Sequence, residues 1–254
     1  MRAIFLIAWK DIKQIIFSPL FLVISAGCTI IWSLMYVSLL KQFATQGMMA
    51  GLQGGAGPNI IRVVFMQHVS ITNLIFIAAV PAITMRLISE EKKSRSYDLL
   101  LTSPISATSI AVGKFLAGLG ATTALLLLSF LYPLATSLVA DFSWSNVIAI
   151  YLGMFFIAAL YTASGLFASS LSESPMLSVF MGWAFNLLIW FLGPSGANSE
   201  VKWFADVMEY ISVGQQMMTF VSGTVQTSAV VFFVTVIGFF VFLSQRVIES
   251  SRWR

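Results

Sequence analysis

Acidic and basic side chains crowd into one short stretch of the 254-residue chain. Arg86, Glu90, Glu91, Lys92, Lys93, Arg95, Asp98 and Lys114 all stand within RLISEEKKSRSYDLLLTSPISATSIAVGK, although charged residues make up only 9% of the sequence. Acids precede bases, and Leu99, Leu100 and Leu101 follow, an order that suits a short amphipathic helix with its carboxylates near the positive N-terminal end. The chemistry open to such a helix is recognition, by ion pairs and apolar contact with lipid or with a groove on a partner. The alternative is a solvated loop whose bases only fix orientation in a membrane. Catalysis has little to work with elsewhere. No GxxxxGK[ST] phosphate cradle occurs, so the chain is not expected to bind or hydrolyse ATP itself. One histidine, His68, and one cysteine, Cys28, supply neither a catalytic dyad, a metal cluster nor a disulfide. We expect no enzyme activity, no cofactor and no metal.

The scaffold that must hold this stretch is oily. With 58% hydrophobic residues and 14 basic plus 10 acidic side chains, the chain cannot coat a globule of its own size with solvated groups. It belongs in a membrane, where a formal charge of +4 is no sign of nucleic-acid binding. Runs long enough to cross a hydrocarbon core about 30 Å thick lie near Pro19–Leu40, Val63–Met85, Phe115–Ala140, Val147–Ser170, Pro175–Leu192 and Thr224–Gln245, and all must be helices because unpaired backbone is intolerable in lipid. The fold expected is therefore all-α, a single polytopic membrane domain over residues 1–254 with six transmembrane helices. Ser18-Pro19 and Ser174-Pro175 each place a hydroxyl acceptor before a proline suited to a first helical turn. Ahead of the first span, MRAIFLIAWKDIKQIIF puts isoleucines and Trp9 at near-helical spacing among charges, which predicts an interfacial helix over residues 1–17.

Topology follows from Lys and Arg. With the N-terminus inside, Arg2, Lys10, Lys13, Arg86, Lys92, Lys93, Arg95, Lys114, Arg246, Arg252 and Arg254 are cytoplasmic, and only Lys41, Arg62 and Lys202 are outside. That bias predicts both termini in the cytoplasm. The charged stretch, residues 86–114, is then the largest cytoplasmic loop. Outside, residues 41–62 read as a Gly-rich flexible loop, and residues 193–223 as short helices at the outer interface.

A family resemblance bears on the charged loop. From Ala79 the run AVPAITMRLISEEKKSRSYDLLLTSPISATSIAVGKFLAG resembles the cytoplasmic-loop signature of ABC transporter permeases of the type-2 exporter class, through Thr84 to Arg86, Glu90-Glu91, Leu100 to Pro104 and Gly113 to Leu116. WKDIKQIIFSPLFLVI and SGLFASSLSESP are similar to two further segments of that group, and the nearest subgroup is the gliding-motility and copper-enzyme-maturation type. The chain departs from the pattern at Arg95, Ser96 and Asp98, and at Gln215 or Gln216, where a histidine is common. The resemblance implies a coupling helix in the 86–114 loop that docks into a separate cytoplasmic ABC ATPase subunit. Glu90, Glu91, Arg95 and Asp98 would make the docking contacts, with Leu99 and Leu100 packing beneath. Glu173, alone in the only other cytoplasmic loop, would be a second contact, or simply a helix-end charge. It also implies a second permease chain as partner, in a homo- or heterodimer, and the bacterial inner membrane as location.

Within the spans, Asn73 and Asn186 read first as interhelical hydrogen-bond glue and second as pathway-lining groups. His68 reads as an anchor at the outer interface. Met48, Met49, Met66, Met208, Met217 and Met218 lie toward the outer side and read as apolar filler before copper ligands. With 22 phenylalanines and no charge inside the spans, an amphipathic or polymeric cargo suits the chain better than a small ion. The function expected is a permease subunit that couples a separate ATPase to export. Its rival is a membrane anchor that passes ATPase motion to a partner with an extracytoplasmic domain.

Overall fold

The computed structural model describes residues 2–55, 57–97, 102, 105–192 and 202–251. Asp98, Leu99 and Leu100, three of the expected docking residues, lie outside the described residues. The described secondary structure is helical throughout: α1 (Arg2–Ile16), α2 (Pro19–Leu52), α3 (Met66–Thr84), α4 (Ser89–Lys93), α5 (Ala107–Thr136), α6 (Trp144–Leu171), α7 (Pro175–Leu192), α8 (Lys202–Ile211), α9 (Val213–Val221) and α10 (Thr227–Ser250). A π-helical turn, Ile61–Phe65, leads into α3. Six helical stretches are long and apolar enough to span a membrane, as the sequence predicts.

Helix α6 is the axis. It is 78% buried along its most apolar stretch, against 22% for each of α2, α7 and α10, and α3, α5, α7, α9 and α10 pack around it. Lipid supplies no hydrophobic drive between helices, so close approach at small residues must hold the bundle. Gly153 on α6 lies where a Cβ would come within 2.7 Å of the Met217 sulfur and 2.9 Å of Phe220. At Gly182 on α7 it would come within 2.8 Å of Pro81. The peripheral helices turn Leu22, Val23, Ile30, Leu34 and Phe239 outward, the surface a bilayer requires.

Two boundaries differ from the sequence reading. Helix α2 continues to Leu52 through the segment expected as a flexible loop, giving 34 residues and a length of about 51 Å. LLKQFATQ is mostly good helix formers, and two isolated glycines, Gly47 and Gly51, at about 1 kcal/mol each do not stop it. Helix α5 begins at Ala107, eight residues ahead of the expected Phe115, because Ser106 accepts the Ser109 N–H at 3.1 Å and caps the helix there. That shift carries Gly113 and Lys114 into the helix. Ser18 caps α2 by accepting from the Phe21 N–H. Before α7 the engaged hydroxyl is that of Ser172, which accepts from the Ser174 N–H at 3.0 Å.

Candidate functional site

The charged end of the bundle is built from α1 upward. In α1 the inner stripe runs Ile4, Ala8, Asp11, Ile15, at helical spacing, and Ala8, Asp11 and Ile15 are buried. This stripe lies across α5 at two glycines. A Cβ at Gly113 would stand 3.0 Å from Ile7 and 3.2 Å from the Ile4 carbonyl, and one at Gly120 would stand 2.8 Å from Ile12. Phe5, Leu6, Trp9 and Phe17 point away from the protein, and Lys13 sits 4.8 Å above the Trp9 ring.

Asp11 breaks the apolar stripe of α1, and Lys114 breaks that of α5; the two meet. Lys114 Nζ lies 3.0 Å from Asp11 Oδ2 and 2.8 Å from Glu91 Oε1, with the lysine 1% exposed and the aspartate 7% exposed. One buried ammonium thus bridges α1, α4 and α5. It is a buried charge that the sequence does not announce, because the charged stretch 86–114 reads as a cytoplasmic loop that ends at Lys114. The signal was present in the register: Asp11 falls on the same face as Ile4, Ala8 and Ile15, and a charge on an apolar stripe demands a buried partner.

Helix α4 is also fixed to the end of α6. The backbone N–H groups of Ile88 and Ser89 donate to Ser169 Oγ at 3.1 and 3.0 Å, and Ser169 Oγ donates to the Met85 carbonyl at 3.1 Å. Lys92 Nζ donates to the Ser170 carbonyl at 2.6 Å, a cation on the negative end of α6, and its ammonium also faces the Tyr97 ring. These contacts bring the α4 loop beside the short loop that carries exposed Glu173. Of the remaining expected docking residues, Glu90 lies 3.5 Å from Arg86 and is half exposed, whereas Glu91 is held from within the chain by Lys114. Arg95 is exposed, at φ 57°, the only non-glycine residue in the left-handed region among those described. A cleft of about 150 Å³ opens between α1 and α4, with Lys10, Arg86 and Lys114 matched by Asp11, Glu90 and Glu91 on its walls. Its formal charges balance.

Deeper in the bundle, the polar groups answer two prolines. Pro81 in α3 has no N–H for the Ile77 carbonyl, and Asn186 Nδ2 from α7 donates to that oxygen at 3.4 Å while Ser164 Oγ of α6 donates to Asn186 Oδ1 at 2.7 Å. Trp183 Nε1 donates to the adjacent Ala78 carbonyl at 2.9 Å. Pro133 in α5 likewise frees the Ser129 carbonyl, which accepts from Tyr151 Oη at 2.9 Å and His68 Nε2 at 3.3 Å. A carbonyl can only accept, so this geometry places the imidazole proton on Nε2. His68 is therefore not an interfacial anchor. It is fully buried, enclosed by Tyr36 and Tyr132, with Nε2 also 2.9 Å from Ser129 Oγ. Asn73 accepts from Tyr161 Oη at 3.1 Å, so both asparagines join α6 to a neighbouring helix within this chain.

The described residues hold no group of three or more His, Cys, Asp or Glu side chains placed to bind a metal ion. What the arrangement offers is a short charged helix, braced on three longer ones, with Lys93 and, just past its end, Arg95 exposed and Glu90 half exposed at the mouth of the cleft. The family model described as ABC-2 family transporter protein matches residues 5–245, nearly the whole chain. No curated protein matches it. The chain belongs to the ABC-2 transporter family.

Proposed function

From its membership as a transmembrane permease component of an ABC transporter, we propose that this chain receives a separate cytoplasmic ATPase on the outward side of α4. The observation that carries the reading is mechanical. Helix α4 is only five residues long, yet buried bonds tie it to α1, α5 and α6, so a push on it acts on whole helices and not on a slack loop. Glu90 and Arg95 supply the docking charges, and exposed Glu173, beside Ser172 and Ser170, is the second contact. Asp98, Leu99 and Leu100 extend the same surface by sequence. Closure of two ATPases around ATP then switches the contact between this chain and a second permease chain from one arrangement to another, and differential contact energy sets the population shift. The cargo is amphipathic or polymeric and moves outward across a bacterial inner membrane, with both termini in the cytoplasm. The subgroup is the gliding-motility and copper-enzyme-maturation type, on the residues that carry that likeness.

The test is co-purification in detergent with candidate ATPases, for the wild type and for Glu90→Lys with Arg95→Glu. Arg95 is exposed and Glu90 half exposed, so the variant is expected to fold, which its unfolding midpoint checks. Loss of the bound ATPase is the expected result. Retention of wild-type association by a folded variant overturns the docking surface.

A further inference from the structure

We propose that Lys114 is the joint that makes α1 and α4 move as one body, so that a displacement delivered at α4 reaches the apolar surface that α1 presents to lipid. This rests on the reading of α4 as the element that receives the push; the joint itself is a property of this chain alone.

Three observations carry it. First, packing alone leaves α1 and α4 apart on one side, where the cleft of about 150 Å³ opens between them, and the Asp11–Lys114–Glu91 contacts close the gap at its inner end. Second, the bridging group is buried and ionic. A buried ion pair adds little net stability over an apolar replacement, but opening one by withdrawing a partner is expensive, because a charge is left in a poor solvent. Such a contact resists separation far more than it favours folding, which is the behaviour of a joint. An ammonium with three N–H groups can hold two carboxylates from different elements at once. Third, α1 has something to deliver. Its inner stripe is seated on Gly113 and Gly120, while Phe5, Leu6, Trp9 and Phe17 are 69%, 66%, 51% and 78% exposed. The first three lie on α1 and Phe17 just past its end, an apolar surface suited to the bilayer interface, so tilting α1 shifts apolar area against lipid.

The joint is therefore a branch point. Motion entering at α4 passes to α6 through Ser169 and Ser170, and to α1 through Lys114. Lys114 acts through its neighbours and is a positioning residue.

The experiment measures a distance in the full-length chain, without any ATPase. Spin labels are placed at exposed Lys13→Cys on α1 and Lys93→Cys on α4, in a Cys28→Ala background, and the distance distribution is recorded in lipid nanodiscs. The wild-type triad is expected to give one narrow distance. Asp11→Asn, Glu91→Gln and Lys114→Met together remove every charge and leave no buried ion unpaired, and this variant is expected to lose the single narrow distance. Should it fail to fold, Glu91→Leu alone leaves the Asp11–Lys114 pair intact and removes the α4 acceptor, with the same expected broadening. Lys114→Arg, which keeps both carboxylates bridged, is expected to keep the narrow distance. An unchanged narrow distribution in folded Glu91→Leu or in the neutral variant overturns the joint. Because the labels report on this chain alone, that failure is separable from a failure of ATPase docking, which co-purification reads.

Discussion

Two buried polar clusters among the described residues solve opposite problems. At the charged end, Lys114, Asp11 and Glu91 bring full charges together from α5, α1 and α4. Deep in the bundle, His68, Ser129 and Tyr151 gather around a carbonyl that Pro133 left without a donor, and all the contacts are hydrogen bonds that need no charge. The difference tracks the surroundings. Near the membrane surface, Arg86, Lys10 and Glu90 stand at the cleft and water can reach its mouth, so ions are tolerable if paired. Inside lipid, an ion is costly and a freed carbonyl is almost as serious, so neighbouring helices lend hydroxyl and imidazole N–H groups. Pro81 repeats the second solution with Asn186. One cluster positions elements against each other; the others mend defects within a helix.

If that contrast is right, removing one partner should hurt the ionic cluster most. Lys114→Met leaves Asp11 and Glu91 facing each other unpaired, and we expect a loss of about 3–5 kcal/mol in detergent unfolding, much of it recovered when Asp11→Asn and Glu91→Gln are added. A single variant no less stable than wild type would show that the carboxylates simply take up protons or turn to water. Next in size is His68→Phe with Tyr151→Phe. Either change alone leaves the Ser129 carbonyl one donor, so each should cost about 1 kcal/mol, whereas the pair orphans it and should exceed the sum. Additivity in that cycle would mean the freed carbonyl finds water. Asn186→Leu should cost about 1 kcal/mol, and less when Pro81→Ala restores the missing backbone N–H to Ile77. Equal cost with and without Pro81 would separate Asn186 from the proline. The smallest effect, about 0.5–1 kcal/mol, is expected for Ser18→Ala, which removes only the cap of α2. All four are read as midpoints of the same unfolding titration.

The charged loop shows how far residues speak for themselves. Its acids, bases and leucines are the composition expected of a recognition element, and the family match over residues 5–245 covers the motifs around Thr84 to Arg86, Glu90-Glu91 and Gly113 to Leu116. Arg95 is exposed, and Glu90 is half exposed at the cleft beside Arg86. Glu91 could not be told apart from Glu90 by sequence, because adjacent positions on a helix differ by about 100° in direction and only the packed neighbours say which side is covered. Lys114 was hidden for a related reason: an uncapped reading started α5 at Phe115 and left the lysine in the loop. His68 illustrates another limit. Polar groups at span ends usually sit at the interface, and nothing local to MQHVSITN reveals that Pro133, 65 residues on, has opened a carbonyl beside it.

The sequence alone determined that this chain lives in a membrane, crosses it six times as helices, and concentrates its charge in one loop, because hydropathy, span length and backbone satisfaction in lipid are properties of contiguous residues. Which charges meet was decided by the tertiary structure. Asp11 and Lys114 are 103 residues apart, and only the seating of α1 on Gly113 and Gly120 brings them within 3.0 Å. Pairing energy falls off within a few ångströms once water is near, so the partner of a charge is set by packing between helices and not by its place along the chain.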